Sequence, residues 1–216
     1  MDQKQALFRD EHGKVKNLIS VFEGITYRDS PLDFFILLAR YKFAARLLRK
    51  SDACLDAGCG HGLGSVFLSK FATSVVGGEI DSALVDANKK EYSGMGNLAF
   101  RQLNLLDVSG WSEFDAVVSM DVIEHFTKEQ TEIVAANYAR LVKPGGFAVI
   151  GTPNRASAHW ASQRRLESHL HEFDPQEFEE LLSRHFGRVF LFSMTDEIVS
   201  TSFKPLAWYL MALCVK

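Results

Sequence analysis

The chain has 216 residues, of which 47% are hydrophobic, enough for one well-buried core and few for two. Its 24 Lys and Arg against 27 Asp and Glu leave a formal charge of −3, with no basic stripe anywhere along the sequence. That charge pattern excludes a strong phosphate-binding footprint, and no nucleic-acid partner is expected. The three cysteines, Cys54, Cys59 and Cys214, are odd in number and lack metal-type spacing, which predicts reduced thiols and a cytoplasmic protein. The opening MDQKQALFRDEHGK has no apolar leader core, and the apolar run over 206–215 is too short for a bilayer, so a soluble chain with no membrane partner is expected.

After Pro31, the apolar residues Leu32, Phe35, Ile36, Ala39, Phe43 and Leu47 recur at helical spacing with Arg40, Lys42, Arg46 and Arg49 between them. This predicts an amphipathic helix over 31–49. Strand and helix signals then alternate: strand 53–57, helix 63–71, strand 74–79, helix 82–92, strands 98–103 and 114–120, helix 128–142 and strand 147–152. Lys143-Pro144-Gly145-Gly146 reads as a helix stop and turn. Asp174-Pro175 opens a last capped helix to about 185, and 189–193 with 207–215 read as an antiparallel pair. The alternation predicts an α/β fold, a doubly wound, mostly parallel seven-stranded Rossmann-like sheet with its ligand at the carboxyl ends of the strands. One domain is expected, with 1–50 as an N-terminal helical lid and 51–216 as the core.

The segment 54–65, CLDAGCGHGLGS, is an apolar strand running into a glycine-rich turn that opens a helix. Gly58, Gly60 and Gly62 allow a sharp turn and close approach of a ligand, and the helix from Leu63 points free N–H groups at it. A dinucleotide fingerprint wants Gly or Ala where Leu63 stands, so a nicotinamide cofactor fits less well.

With Asp56 two residues ahead of Gly58, the segment resembles motif I of the class I S-adenosylmethionine (SAM) dependent methyltransferases. FDAVVSMDVIEHF over 114–126 resembles their fourth-strand motif, and LVKPGGFAVIGTPNR over 141–155 the segment around their fifth. The resemblance runs over roughly 51–192 and is nearest in character to bacterial small-molecule O- and N-methyltransferases of the ubiquinone-pathway and sugar or antigen types. It implies an enzyme that takes SAM, releases S-adenosylhomocysteine (SAH), and methylates oxygen or nitrogen of a small-molecule acceptor. A homodimer is compatible with the sequence.

The resemblance also assigns cofactor roles. Asp56 with Gly58, Cys59 and Gly60 would receive the amino-acid end, and Glu79 both ribose hydroxyls. Asp107 with Leu106 would take the adenine amino group, while Ile80 and Met120 cover the ring and ribose. Taken alone, Asp107 reads equally well as a turn residue, and Asp81 as a helix cap. A base near the acceptor would remove its proton, for which His125 is the first candidate and His169, followed by His171, the second. His61 reads as a passenger of the turn. Asp121, Glu124 and His125, with His169, also stand where some quinone-pathway and small-RNA 2′-O-methyltransferases carry metal ligands. A metal-assisted RNA-end enzyme, a non-catalytic SAM-binding subunit and an oxidoreductase are therefore the alternatives. Tyr27, Phe34, Phe35, Tyr41, His159 and Trp160 are the aromatic candidates for the acceptor pocket.

Overall fold

The computed structural model describes Arg28, residues 31–202 and residues 204–216, without the side chains of Trp160 and Arg164. Phe35–Lys216 forms one compact unit. Most of the expected lid over 1–50, Tyr27 included, lies outside the described residues.

Helix α1 (Pro31–Leu47) is followed by β1 (Ala53–Ala57), α2 (Leu63–Leu68), β2 (Ser74–Glu79), α3 (Ser82–Glu91), β3 (Leu98–Gln102) and β4 (Phe114–Met120). Then come α4 (Lys128–Leu141), β5 (Val142–Pro153), the short α5 (Gln163–Ser168), α6 (Pro175–Ser183), β6 (Arg188–Thr195), β7 (Ile198–Ser200) and β8 (Tyr209–Val215). Eight strands, one more than expected, form a single sheet in the order β3-β2-β1-β4-β5-β8-β6-β7. β1 to β5 run parallel, and β8 enters antiparallel between β5 and β6. The extra strand β7 pairs with the end of β6 around a tight turn at Asp196, whose φ is 55°.

The segment Lys143-Pro144-Gly145-Gly146 is not the turn expected. The α4 helix passes directly into β5, whose register against β4 jumps from Phe114↔Val142 to Ala116↔Phe147. These four residues are a bulge within the strand, held because Gly145 N–H donates to Lys216 O and Lys216 N–H to Gly146 O.

Both faces of the sheet are covered, which is why its central strands are apolar throughout rather than alternating. Leu55, Val117, Ile150 and Leu210 pack on one face against Val134, Tyr138, Phe178 and Leu182 of α4 and α6. Cys54, Val118, Val149 and Met211 pack on the other against Tyr41, Ala44 and Ala45 of α1 and Leu68 of α2. Asp81 caps α3 by accepting from Ala83 N–H, and Asp174 caps α6 by accepting from Glu177 N–H.

Thr127 starts α4 with a reciprocal capping box: its hydroxyl accepts from Gln130 N–H while the Gln130 side chain accepts from Thr127 N–H. Thr127→Ala is expected to cost about 1 kcal/mol, read as a fall of roughly 2–4 °C in Tm. An unchanged Tm would show that water replaces the cap without loss.

Candidate functional site

The sheet order reverses direction between β1 and β4, and the carboxyl ends of parallel strands at such a point form a ligand crevice. The crevice here is a cavity of about 370 Å³, within the range of roughly 300–1,000 Å³ usual for small-molecule sites. Gly58, Gly60, Glu79 and Ile80 line one side, Leu103 and Leu105 the floor, and Asp121, Val122, His125 and Phe126 the other side.

The glycine turn is built by close packing. A Cβ on Gly58, whose φ is 80°, would stand 2.3 Å from Cγ2 of Val122, so only glycine lets β1 exit against the loop after β4. A Cβ on Gly60, with φ of 51°, would meet nothing within 4 Å, so this backbone faces open space at the cavity. The expected cradle of free amides is not what the turn provides. Gly58 and Cys59 N–H both donate to Gly78 O, Gly60 N–H donates to Glu79 Oε2 at 3.0 Å, and α2 is only six residues long. The polar group facing the cavity is instead the carboxylate of Glu79, whose Oε1 also accepts from Ile80 and Asp81 N–H. A carboxylate has about four acceptor positions, so three backbone donors hold Glu79 rigid and leave capacity for a ligand donor.

Asp56 is set beneath the turn and outside the cavity lining. Fully buried, it accepts from the Ser65 hydroxyl at 2.7 Å and the Tyr41 hydroxyl at 3.3 Å. Burial pushes its carboxyl up to about 7, against the lowering effect of the Ser65 and Tyr41 hydrogen bonds. Its role is to tie β1, α2 and α1 together below the ligand, and Tyr41 is thereby a support of the turn rather than acceptor lining. Cys59 likewise turns away, packing with Val85 and Phe100. Met120 is a core residue on the sheet face shared with Tyr209, 4% exposed and outside the cavity lining. After β3 it is Leu103 and Leu105 that line the cavity, while neither Leu106 nor Asp107 does. Asp107 is exposed, and hydrogen bonding from Ser109 N–H holds its carboxyl below the usual range, so the structure uses it as a turn residue.

At the opposite side, Asp121 follows β4 with φ of 57°, left-handed backbone rare for a residue with a side chain. Its N–H donates to Gly151 O and to the Tyr209 hydroxyl, and its carboxylate pairs with Nη1 of Arg40. The Arg40 guanidinium lies over the Tyr209 ring at 3.8 Å. Burial works to discharge Arg40, but Asp121, Tyr209 and Glu124 around it together hold the cation above its ordinary range. Arg40 is absent from the sequence reading of the site, where it looks like one of four spaced cations on a solvated helix face.

Residues Ile123–His125 form a single 3₁₀ turn that dips toward the segment before α6. Glu124 O accepts from Leu170 and His171 N–H, and His125 Nδ1 donates to Ser168 O at 2.9 Å. A carbonyl only accepts, so Nδ1 of His125 carries hydrogen, and in the neutral ring the lone pair is on Nε2. His169 meets His125 edge to face, ring centroids 5.0 Å apart, and its Nδ1 lies 2.6 Å from Oε1 of Glu172. Burial lowers the His169 imidazole below its usual range, opposed by Glu172. Glu124 is fully buried, with Oε2 accepting from the Thr152 hydroxyl and Oε1 without a hydrogen-bond partner; burial, then Asp121, pushes its carboxyl well up. One ligand atom each from Glu124, His125 and His169 lies within 4.8 Å of the others, a set that would suit a divalent cation. Asp121, the fourth residue of the expected set, is paired with Arg40 instead. His171 is also drawn off, its Nε2 3.0 Å from Oε1 of Glu177.

His61 stays on the turn, half-buried, and His159 and Phe35 are exposed. Among the described residues, no helix is long and apolar enough to cross a membrane.

Residues 54–146 match the family model of a methyltransferase domain. Over that stretch, which is less than half of the chain, the sequence is similar to SAM-dependent methyltransferases. A probable SAM-dependent methyltransferase of Mycolicibacterium smegmatis is 35% identical over 133 residues, which cover 59% of this chain and 49% of that one. A ubiquinone biosynthesis O-methyltransferase of Alkalilimnicola ehrlichii is 32% identical over 104 residues, covering 47% of this chain and 41% of the relative. The chain thus spans about half the length of these curated relatives, or less. The crystal structure of a TehB-like SAM-dependent methyltransferase from Corynebacterium glutamicum shares the fold of the methyltransferase domain, with a TM-score of 0.64 at 22% identity, covering 82% of this chain and 87% of that one. SAM is the cofactor of this superfamily, and Glu79, the open backbone at Gly60 and the apolar floor of the cavity are chemically suited to its ribose and adenine.

Proposed function

We propose that this domain transfers the methyl group of SAM to an oxygen or nitrogen of a small molecule, and the ubiquinone-pathway relatives favour oxygen. One observation carries this: a single cavity joins the Glu79 carboxylate and glycine turn on one side to Asp121 and His125 on the other. Bound SAM supplies a methyl group on a sulfonium, open to in-line attack. Glu79 would hold the ribose hydroxyls, while Ile80, Leu103, Leu105 and Phe126 exclude water around the base. His125, with Nε2 unprotonated, can accept the proton that the acceptor loses. The tie from Arg40 holds in place the Asp121 carboxylate, which lines the cavity together with His125.

Calorimetry with SAH, followed by labelled methyl transfer to a panel of small phenols and amines, tests the proposal. SAH should bind and NADH should fail to displace it; displacement by NADH, or no binding of SAH, would reject it.

The unpartnered Oε1 of Glu124 favours a second reading, in which Glu124, His125 and His169 hold a divalent cation that lowers the pKa of an acceptor hydroxyl. Turnover would then fall on chelation and return with Mg²⁺, Mn²⁺ or Zn²⁺. Undiminished turnover after stripping rules the cation out.

A further inference from the structure

We propose that Glu172 is a positioning residue that fixes the His169 imidazole with its proton on Nδ1 and its lone pair on Nε2, within the cluster that His169 forms with His125 and Glu124. The assignment rests on the reading of this side of the cavity as the acceptor site.

The carboxylate of Glu172 is 11% exposed and bound on three sides. Oε1 lies 2.6 Å from His169 Nδ1 and accepts from Arg165 Nε at 2.6 Å, while Oε2 accepts from Arg165 Nη2 at 2.8 Å. This two-pronged grip is the strong form of an arginine–carboxylate pair. Arg165 is itself anchored, donating to the Ser157 hydroxyl at 3.1 Å and to the carbonyl of buried Asn154 at 3.2 Å, directly after β5. The carboxylate is therefore fixed to the end of a core strand and not merely to the loop that carries it.

The guanidinium fork of Arg165, one nitrogen on each oxygen, is matched to an ionised Glu172. An ionised carboxylate can only accept, so the hydrogen in the contact sits on His169 Nδ1. An unrestrained imidazole favours the opposite tautomer, so Glu172 selects one that the ring would not choose alone. Ser168 O does the same for His125. Both imidazoles thus keep a lone pair on Nε2, and they share one cluster with the buried Glu124, so this side of the cavity holds two acceptors able to take up a proton from the methyl acceptor.

Two-bond ¹H–¹⁵N correlation of the histidine rings at pH 8, with His169 assigned through His169→Gln, tests the proposal on the full chain. The wild type should show hydrogen on Nδ1. Glu172→Gln should retain it, since the amide oxygen still accepts, and Glu172→Leu should move it to Nε2. Hydrogen on Nε2 in the wild type, or still on Nδ1 in Glu172→Leu, overturns the proposal. Should Glu172→Leu not fold, the wild type and Glu172→Gln decide, because hydrogen on Nε2 in either is equally fatal. SAH calorimetry on the same samples keeps the two questions apart: a protein that binds no SAH yet keeps hydrogen on Nδ1 loses the methyltransferase reading and retains the role of Glu172.

Discussion

Gly58→Val should lose SAH binding by at least 100-fold and destabilise the domain by about 3 kcal/mol. The new Cβ would lie 2.3 Å from Cγ2 and 3.1 Å from Cγ1 of Val122, a stiff β-branched side chain that cannot swing away. The φ of 80° adds strain of about 1–2 kcal/mol for any residue with a Cβ. Relief requires the glycine turn and the loop after β4 to separate, which widens the cavity where Glu79 and Asp121 face each other. Gly60→Ala distinguishes lost fold from lost site. Its methyl meets nothing within 4 Å, so the domain should lose only about 1 kcal/mol from the left-handed backbone, while the methyl takes up room at the cavity. Urea unfolding and SAH calorimetry on both variants give the answer. Wild-type affinity in Gly58→Val would mean that the cofactor does not lie against this turn.

Asp56→Asn should make the protein more stable than the wild type at pH 8, by an amount that shrinks as the pH falls. The Asp56 carboxyl is pushed up to about 7 in the folded state by burial, from an ordinary value of 3.8. Between those values the folded state holds a proton that the unfolded state releases, so stability falls as pH rises. The favourable contribution is complete below the unfolded pKa and lost as pH passes through the folded one. A shift of about 3 units corresponds to about 4 kcal/mol above pH 7, of which roughly 2–3 kcal/mol develops between pH 5 and pH 8. Asparagine has no charge to desolvate and still accepts from Ser65. Urea midpoints of the two proteins across that range should converge toward acid; parallel profiles would show that Asp56 titrates as an ordinary carboxyl.

The strands that frame the cavity were legible because burial on both faces leaves a plain mark. ACLDA, SVVGGE and FDAVVSM are short apolar runs bounded by turn residues, and β1, β2 and β4 occupy the positions expected of them. β7 was not legible: three residues paired with the end of β6 carry no periodicity, and their partner is set by a turn at Asp196. The bulge at Lys143–Gly146 was misread because Pro and Gly mark a departure from regular backbone without saying whether the strand resumes in register. Within the site, charge in a conspicuous motif drew attention to Asp56 and Asp107, which the fold spends on internal hydrogen bonds. Arg40 and Glu172 left no such mark. Asp121 lies 81 positions from Arg40 and only folding brings the two together, while Glu172 stands three positions after His169 in a segment with no periodicity to mark the pairing.

The reversal of strand order between β1 and β4 divides labour along the midline of the sheet. Glu79 and the glycine turn project from one half, whereas His125 follows β4 in the other, and His169 with its Arg165–Glu172 brace stands on a stretch that begins only after β5. On the proposed function, the excursion of about twenty residues after β5 is the part of the acceptor side that can be rewritten without disturbing the β1–β2 half of the cavity.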